Sequence, residues 1–196
     1  MQIPPRSPDT AALMRLRFTK LHGLGNDFIA VDGRDRSVAL DATAAHTLCD
    51  RHLGIGADGL LVLTGTLDRP HMTVFNADGS RPEMCGNGIR CFVKWLIDGY
   101  ALPGDAFTVG TDAGPRLCRV QRDEADRVVS VAVEMGIPTL TPTGIPVVSD
   151  QPIIGQLVSV DDRQLHLTAV GIGNPHVAIF DQLSAADRQR LGPALA

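Results

Sequence analysis

Cys85 is followed by Gly86, Asn87 and Gly88, and then by a segment whose apolar residues fall at helical spacing. A thiol just before a helix faces backbone N–H groups that have no partner inside the helix. The helix dipole favours negative charge at the same place. Both effects favour thiolate over thiol, and the same exposed N–H groups can hold a carboxylate. Gly86 and Gly88 carry no side chain to keep a ligand off the backbone. Such a turn can bind an acid and remove a proton beside it. The same residues also fit a plainer role, a turn with the thiol filling space behind it. Taken alone, they leave both readings open.

The helix itself is marked by Ile89, Phe92, Val93, Leu96, Ile97 and Tyr100, one apolar stripe with Cys91 and Trp95 to one side. Gly99 is placed to end it, and Pro103 lies beyond. Ahead of it, RLRFTK (15–20), DFIAVD (27–32), LLVLTG (60–65) and MTVFNA (72–77) read as strands. Asp32-Gly33 and NADGS (76–80) read as turns. From Asp41, the residues Ala44, Ala45, Leu48, Cys49 and His52 fall at helical spacing, with Gly54 as a stop. Behind the central helix, FTVGT (107–111), RLCRVQ (116–121) and VVSVAVEM (128–135) are β-like. IPTLTPTGIPVV (137–148) is rich in Pro and Thr and reads as part of a linker. Residues 157–171 read as a hairpin and 176–181 as a further strand. Ser184 followed by Asp187 marks a helix start.

These elements predict a mixed α/β (α+β) fold. The expected organisation is a disordered leader over 1–14, a first lobe over 15–136, a linker over 137–150, and the start of a second lobe over 151–196. The 196 residues are 44% hydrophobic and 20% charged, enough to build a core, and with 4% aromatics that core must rest on aliphatic side chains. A net charge of −4 with no basic stripe argues against a nucleic-acid partner. The sequence shows neither an apolar signal region nor a run long enough to span a membrane, so a soluble cytoplasmic protein is expected. The four cysteines form no C-x-x-C pair, which argues against a structural zinc site, and no metal is expected.

Residues 23–31, GLGNDFIAV, are echoed by residues 171–179, GIGNPHVAI. Gly23 matches Gly171, Gly25 matches Gly173, Asn26 matches Asn174, and Ala30 matches Ala178. Each copy is followed by a helix-like segment, so the chain reads as two lobes of one kind. At the same spacing a second copy of the Cys85 region would fall beyond Ala196, so the second lobe is expected to be incomplete.

Plainer readings stand beside these. GIGADG (54–59) matches G-x-G-x-x-G but precedes a strand, the reverse of the dinucleotide-binding order, and reads as a turn. Asn26 and Asn174 suit left-handed turn positions. His22, His46, His52, His71 and His166 read as packed strand histidines, as His176 would in isolation. Cys91 reads as packing, and Arg17, Arg34, Arg36 and the charges of 119–127 as solvated surface.

Four blocks together resemble the diaminopimelate epimerase family. They are FTKLHGLGNDFIAVDG (18–33), GIGADGLLVL (54–63), FNADGSRPEMCGNGIRCF (75–92) and GNPHVAIF (173–180). VEMGIP (133–138) also fits the family's VDMGxP. The resemblance implies two pseudosymmetric lobes, each a mixed sheet or barrel around a central helix, facing a cleft. It implies interconversion of LL- and meso-diaminopimelate, in lysine and cell-wall precursor synthesis, with no cofactor and no metal. In that chemistry one cysteine removes the α-proton as thiolate and a second delivers a proton to the opposite face. Position by position, Cys85 matches the first catalytic cysteine, and Gly86 and Asn87 match residues that bind the reacting end of the substrate. Asn26, Asn76 and Asn174 match substrate-binding asparagines, and His176 matches a histidine that tunes the thiol. Gly59 stands where some members have a substrate-contacting glutamine. The family's second cysteine lies in an ACGTG-like block, and none of Cys49, Cys91 or Cys118 has that context. The resemblance further implies a homodimer acting on a small molecule, and it predicts that these 196 residues alone are inactive. Two alternatives are a related isomerase of the proline racemase or phenazine-biosynthesis kind, and a non-catalytic fragment or binding module.

Overall fold

The computed structural model describes residues 15–35 and 39–195; the expected leader at 1–14 and Arg36 lie outside the described residues. The first sheet has the order β1 (Phe18–Gly23), β2 (Asn26–Asp32), β3 (Gly59–Gly65), β4 (Pro70–Asn76). β1 and β2 form a hairpin, while β2 and β3 run parallel and are joined by α1 (Ala42–Cys49). A parallel pair needs such a crossover, which puts a helix over one face of the sheet. The opposite face is covered by α2 (Gly86–Tyr100). β2 and β3 are therefore apolar on both faces: Phe28, Ala30, Leu61 and Leu63 turn toward α2, whereas Ile29, Val31, Leu60 and Val62 lie in the cluster with α1.

A second sheet, β5 (Ala106–Val109), β6 (Arg116–Arg122) and β7 (Val128–Val133), closes over the other side of α2. Val109, Cys118, Val120 and Val128 share the helix's core cluster. Ile89, Phe92, Val93 and Leu96 of α2 are each at most 2% exposed. Burying one such side chain contributes about 1.5–3 kcal/mol, so the helix is anchored chiefly by this packing. α2 runs one residue past Gly99. Ala101, at φ 51°, takes the left-handed position and its N–H donates to the Ile97 carbonyl at 2.9 Å. Beside that end, the Tyr100 hydroxyl donates to Asp32 at 2.7 Å, and Arg34 donates to the same carboxylate at 2.6 and 2.8 Å. Arg34 also lies 5.1 Å from the Tyr100 ring centroid, so it is a packed residue and not the solvated one its sequence context suggests. Arg34 in the first place, with Tyr100 assisting, holds the Asp32 carboxyl down at about 2.

The third sheet has the order β10 (Pro175–Ile179), β9 (Arg163–Gly171), β8 (Gln156–Val160). It has its own core of Val160, Leu165, Leu167 and Leu191, the last from α3 (Ala185–Leu191). Ser184 caps α3: its Oγ accepts from Asp187 N at 3.0 Å, and Asp187 reaches back to the Ser184 N–H. The sheet is tied to the stretch behind β7 by a two-way bridge, Thr139 N to Gly171 O at 2.8 Å and Gly171 N to Thr139 O at 2.9 Å. The architecture is mixed α/β, as expected. Among the described residues no helix is long and apolar enough to cross a membrane. His71 is a packed strand histidine, half-buried on β4 with its Nδ1 enclosed, whereas His22, His46, His52, His166 and His176 are exposed.

Candidate active site

Cys85 is the N-cap of α2, with extended backbone at φ −137°, ψ 108°. Its Sγ accepts from the Gly88 N–H at 3.4 Å, while its carbonyl accepts from Ile89 N at 2.9 Å. The Gly86 and Asn87 N–H groups stand in the first turn, where no carbonyl of the helix reaches them. They are the donors available to an anion beside the sulfur. The second glycine has a packing reason: a Cβ on Gly88 would sit 3.1 Å from Leu61 and 3.3 Å from the Cys85 sulfur. The thiol is partly buried.

Both copies of the repeat touch this turn. A Cβ on Gly23 would lie 3.3 Å from the Asn87 carbonyl, and one on Gly173 would lie 3.4 Å from the Met84 Cβ. The first hairpin turns through Leu24 (φ 57°) and Gly25 (φ 86°), and the second through Gly173 (φ 85°). Neither Asn26 nor Asn174 is in the left-handed conformation their type suggested. Asn26 instead opens β2 opposite Gly23, and its side chain has no hydrogen-bond partner among the described residues.

The other asparagines are oriented by neighbours. Arg90 donates to the Asn87 Oδ1, which leaves the amide NH2 of Asn87 as a donor. Asn76 ends β4 opposite Gly59 and gives its Nδ2 to Ser80 Oγ at 2.9 Å, so its Oδ1 remains as an acceptor. Asn174 Oδ1 lies 2.8 Å from His176 Nε2. His176 is thus paired with Asn174, and no hydrogen bond joins it to Cys85 among the described residues. Gly59 has no room for a side chain without movement, since a Cβ would meet the Phe75 carbonyl at 2.8 Å. A hollow of about 610 Å³ lies between the 81–83 segment and the second hairpin, with Arg81, Thr139 and Asn174 on its walls.

The remaining thiols are of another kind. Cys49, Cys91 and Cys118 are buried, and burial raises each of them, Cys118 to about 11. They are packing residues and poor bases. Among the described residues no three His, Cys, Asp or Glu side chains come together in a way that could hold a metal ion.

Two features were not singled out in the sequence. Arg90 sits three residues after Asn87, the spacing at which helix side chains meet, so its bond to Asn87 had a local signal. The cluster of Lys20, Asp27, Arg51 and Asp58 had none, because its members come from four separate segments.

A family model described as diaminopimelate epimerase matches residues 18–141. The chain belongs to the diaminopimelate epimerase family. It is 40% identical over 187 residues to the diaminopimelate epimerase of Desulfovibrio desulfuricans, an alignment covering 91% of this chain and 65% of that protein. It is 38% identical over 185 residues to that of Nitrosomonas europaea, covering 93% and 66%. It is 39% identical over 181 residues to that of Methanococcus maripaludis, covering 91% and 65%. The chain therefore spans just under two thirds of the length of the relatives it matches. Among solved structures, a hydroxyproline epimerase from Agrobacterium vitis matches with TM-score 0.58 at 14% identity, over 91% of this chain and 54% of that one. A phenazine biosynthesis protein from Bacillus anthracis matches with TM-score 0.54 at 15% identity, over 85% and 56%. At such identities these two likenesses speak for the fold alone.

Proposed function

We propose that this protein is a diaminopimelate epimerase in which Cys85, as thiolate, removes the α-proton. What supports this most directly is the Cys85 sulfur at the helix N-cap, beside the Gly86 and Asn87 N–H groups, which no carbonyl of the helix reaches. A carboxylate held by those groups presents its α-carbon next to the sulfur. Negative charge that develops on the carboxylate as the proton leaves is met by N–H groups already in place, which is where such stabilisation is largest. The reading needs no cofactor.

Asn26, Asn76, Asn87 and Asn174 divide the rest of the substrate between them. The free donor of Asn87 suits the reacting carboxylate, and the free acceptor of Asn76 suits an ammonium group. His176, which the resemblance matches to a thiol-tuning histidine, is held by its bond to Asn174. Inversion needs an acid on the face opposite the base. The buried thiols of Cys49, Cys91 and Cys118 do not offer one, so a second cysteine outside these 196 residues supplies it, and this chain alone does not invert its substrate. The enzyme so formed works as a cytoplasmic homodimer on a small molecule, in the synthesis of lysine and cell-wall precursors.

The test is solvent exchange. In D2O, a chain of the relatives' full length that carries these residues is expected to place deuterium at Cα of diaminopimelate while inverting it. Cys85→Ala is expected to lower that rate by about 10²–10⁴-fold or more, the range for a lost general base. Absence of exchange in the long chain would overturn the substrate, and unchanged exchange in Cys85→Ala would overturn the base. Brisk inversion by the 196 residues alone would overturn the two-cysteine pairing.

A further inference from the structure

The residue after Asn26 is Asp27, and the residue before Gly59 is Asp58. Asp27 N donates to Asp58 Oδ2 at 3.0 Å; Asp58 N donates to Asp27 Oδ1 at 3.1 Å and to the Asp27 carbonyl at 2.9 Å. Each carboxylate is held by the other's backbone, so two negative charges are fixed side by side. Arg51, just past α1, resolves this. Its Nη2 meets Asp27 at 2.7 Å and Asp58 at 2.8 Å, and its Nη1 meets the other Asp27 oxygen at 3.2 Å. Lys20 of β1 joins Asp27 at 2.7 Å and also bonds the Gly56 carbonyl, but Arg51 is the cation that touches both carboxylates. The thiol of Cys49 at the end of α1 feels the same four charges, and His22 lines the hollow beside them.

The hairpin next to this cluster is strained. Leu24, 91% exposed, holds φ 57°, a conformation a bulky residue keeps only when its surroundings impose it. The second copy of the repeat supplies the contrast. Pro175 stands at the place of Asp27, with no carboxylate to clamp, and Ile172 at the place of Leu24 is not in the left-handed region. Strain and clamp occur together in one copy and are absent together from the other.

We propose that Arg51 is a positioning residue for Asn26: by bridging Asp27 and Asp58 it locks the strained hairpin tip to the 54–59 loop in the form that presents Asn26 to the substrate. This rests on the reading of Asn26 as a substrate ligand. The Arg51 side chain is 55% exposed, and an isolated pair so placed is worth little. Its effect comes from cancelling the repulsion between two carboxylates that the backbone forces together. Consistent with that arrangement, Arg51 above all holds the Asp27 carboxyl well below the usual carboxylate range.

The experiment compares Arg51→Met with Arg51→Met/Asp58→Asn, by hydrogen exchange at the Gly25–Asp27 and Asp58 amides and by diaminopimelate affinity. Arg51→Met is expected to speed exchange at these amides and to weaken binding, each by about tenfold or more. The double variant still lacks the guanidinium but has one carboxylate fewer, and is expected to recover most of both. A role limited to packing of the Arg51 stem predicts no recovery, so a double variant no better than the single one overturns the proposal. Exchange in Arg51→Met within about twofold of the unaltered protein also overturns it. Should Arg51→Met fail to fold, Arg51→Lys against Arg51→Lys/Asp58→Asn makes the same comparison. A chain of the relatives' full length that binds no diaminopimelate would refute the substrate reading, and amide exchange would still decide the clamp.

Discussion

The hairpins at 23–31 and 171–179 share two glycines, an asparagine and an alanine at matching places, yet one lies at the heart of a sheet and the other at a rim. β2 is buried from Phe28 to Val31 and pairs in parallel with β3, whereas β10 is the end strand of its sheet and exposed over Pro175–Val177. Their turns also differ. Gly23 pairs with Asn26 around two residues, but Gly171 pairs with Pro175 around three, a slip of one position. At the slipped pair, the Gly171 N–H and carbonyl both go to Thr139, so the donor that proline lacks is not missed. At the matching place in the first copy, Asp27 uses its N–H and carbonyl to hold Asp58. The same local sequence makes a hairpin twice, and the neighbours decide its register, burial and bonding.

Matched substitutions probe that contrast, and the largest effect is expected in the core. Ile29 is 0% exposed and its counterpart Val177 is 43% exposed. Ile29→Ala should cost about 2–5 kcal/mol and Val177→Ala within about 0.5 kcal/mol, as measured by urea unfolding. Equal costs would mean that β10 is covered in solution. Next comes the proline exchange. Asp27→Pro removes the N–H to Asp58 and the carboxylate under Arg51, and should cost about 2–3 kcal/mol. Pro175→Ala should stay within about 1 kcal/mol. A tolerated Asp27→Pro would show that the two copies are bonded alike after all.

The third probe is pH. The first sheet carries Asp27 and Asp32 with carboxyls held below their ordinary range, Asp32 at about 2. Protons then bind the unfolded chain more readily than the folded one. The stability these groups contribute is full above about pH 4 and is lost as pH falls toward 2. Urea midpoints should drop across that window, and Asp32→Asn should flatten the drop; an unchanged slope would show that Asp32 is not the group responsible. The smallest effect is at the turn. Leu24→Asn should raise stability by about 0.5–1 kcal/mol by relieving the positive φ, and Ile172→Asn should bring no gain. Thermal melting of the two variants separates them.

What the sequence made legible was mostly local. The stripe from Ile89 to Tyr100 announced α2, and Ser184 with Asp187 announced α3, because caps and periodicity are short-range properties. Cys85 could be placed at a helix start for the same reason. The end of α2 misled, since Ala101 took a left-handed position that glycine usually fills. β1 was read three residues early. Leu16 and Phe18 alternate well, while His22 and Gly23 look unlike strand residues until β2 pairs with them. Arg34 looked like surface because its partner Tyr100 is 68 residues from Asp32 in sequence. The Asp27–Arg51–Asp58 cluster was hidden likewise, its members lying 24 and 31 residues from Asp27 and each passing for an ordinary loop charge.

One sulfur atom closes the first turn of α2 and also lies at the end of the helix where the first N–H groups have no helical carbonyl. A sulfur that has lost its proton accepts a hydrogen bond better than one that keeps it. On the proposed mechanism, the helix that anchors two sheets would be fastened more firmly in one half of a turnover cycle than in the other. Alkylating or oxidising Cys85 would register as softened architecture as well as lost chemistry, and a melting curve could report the covalent state of the sulfur with no substrate in the tube.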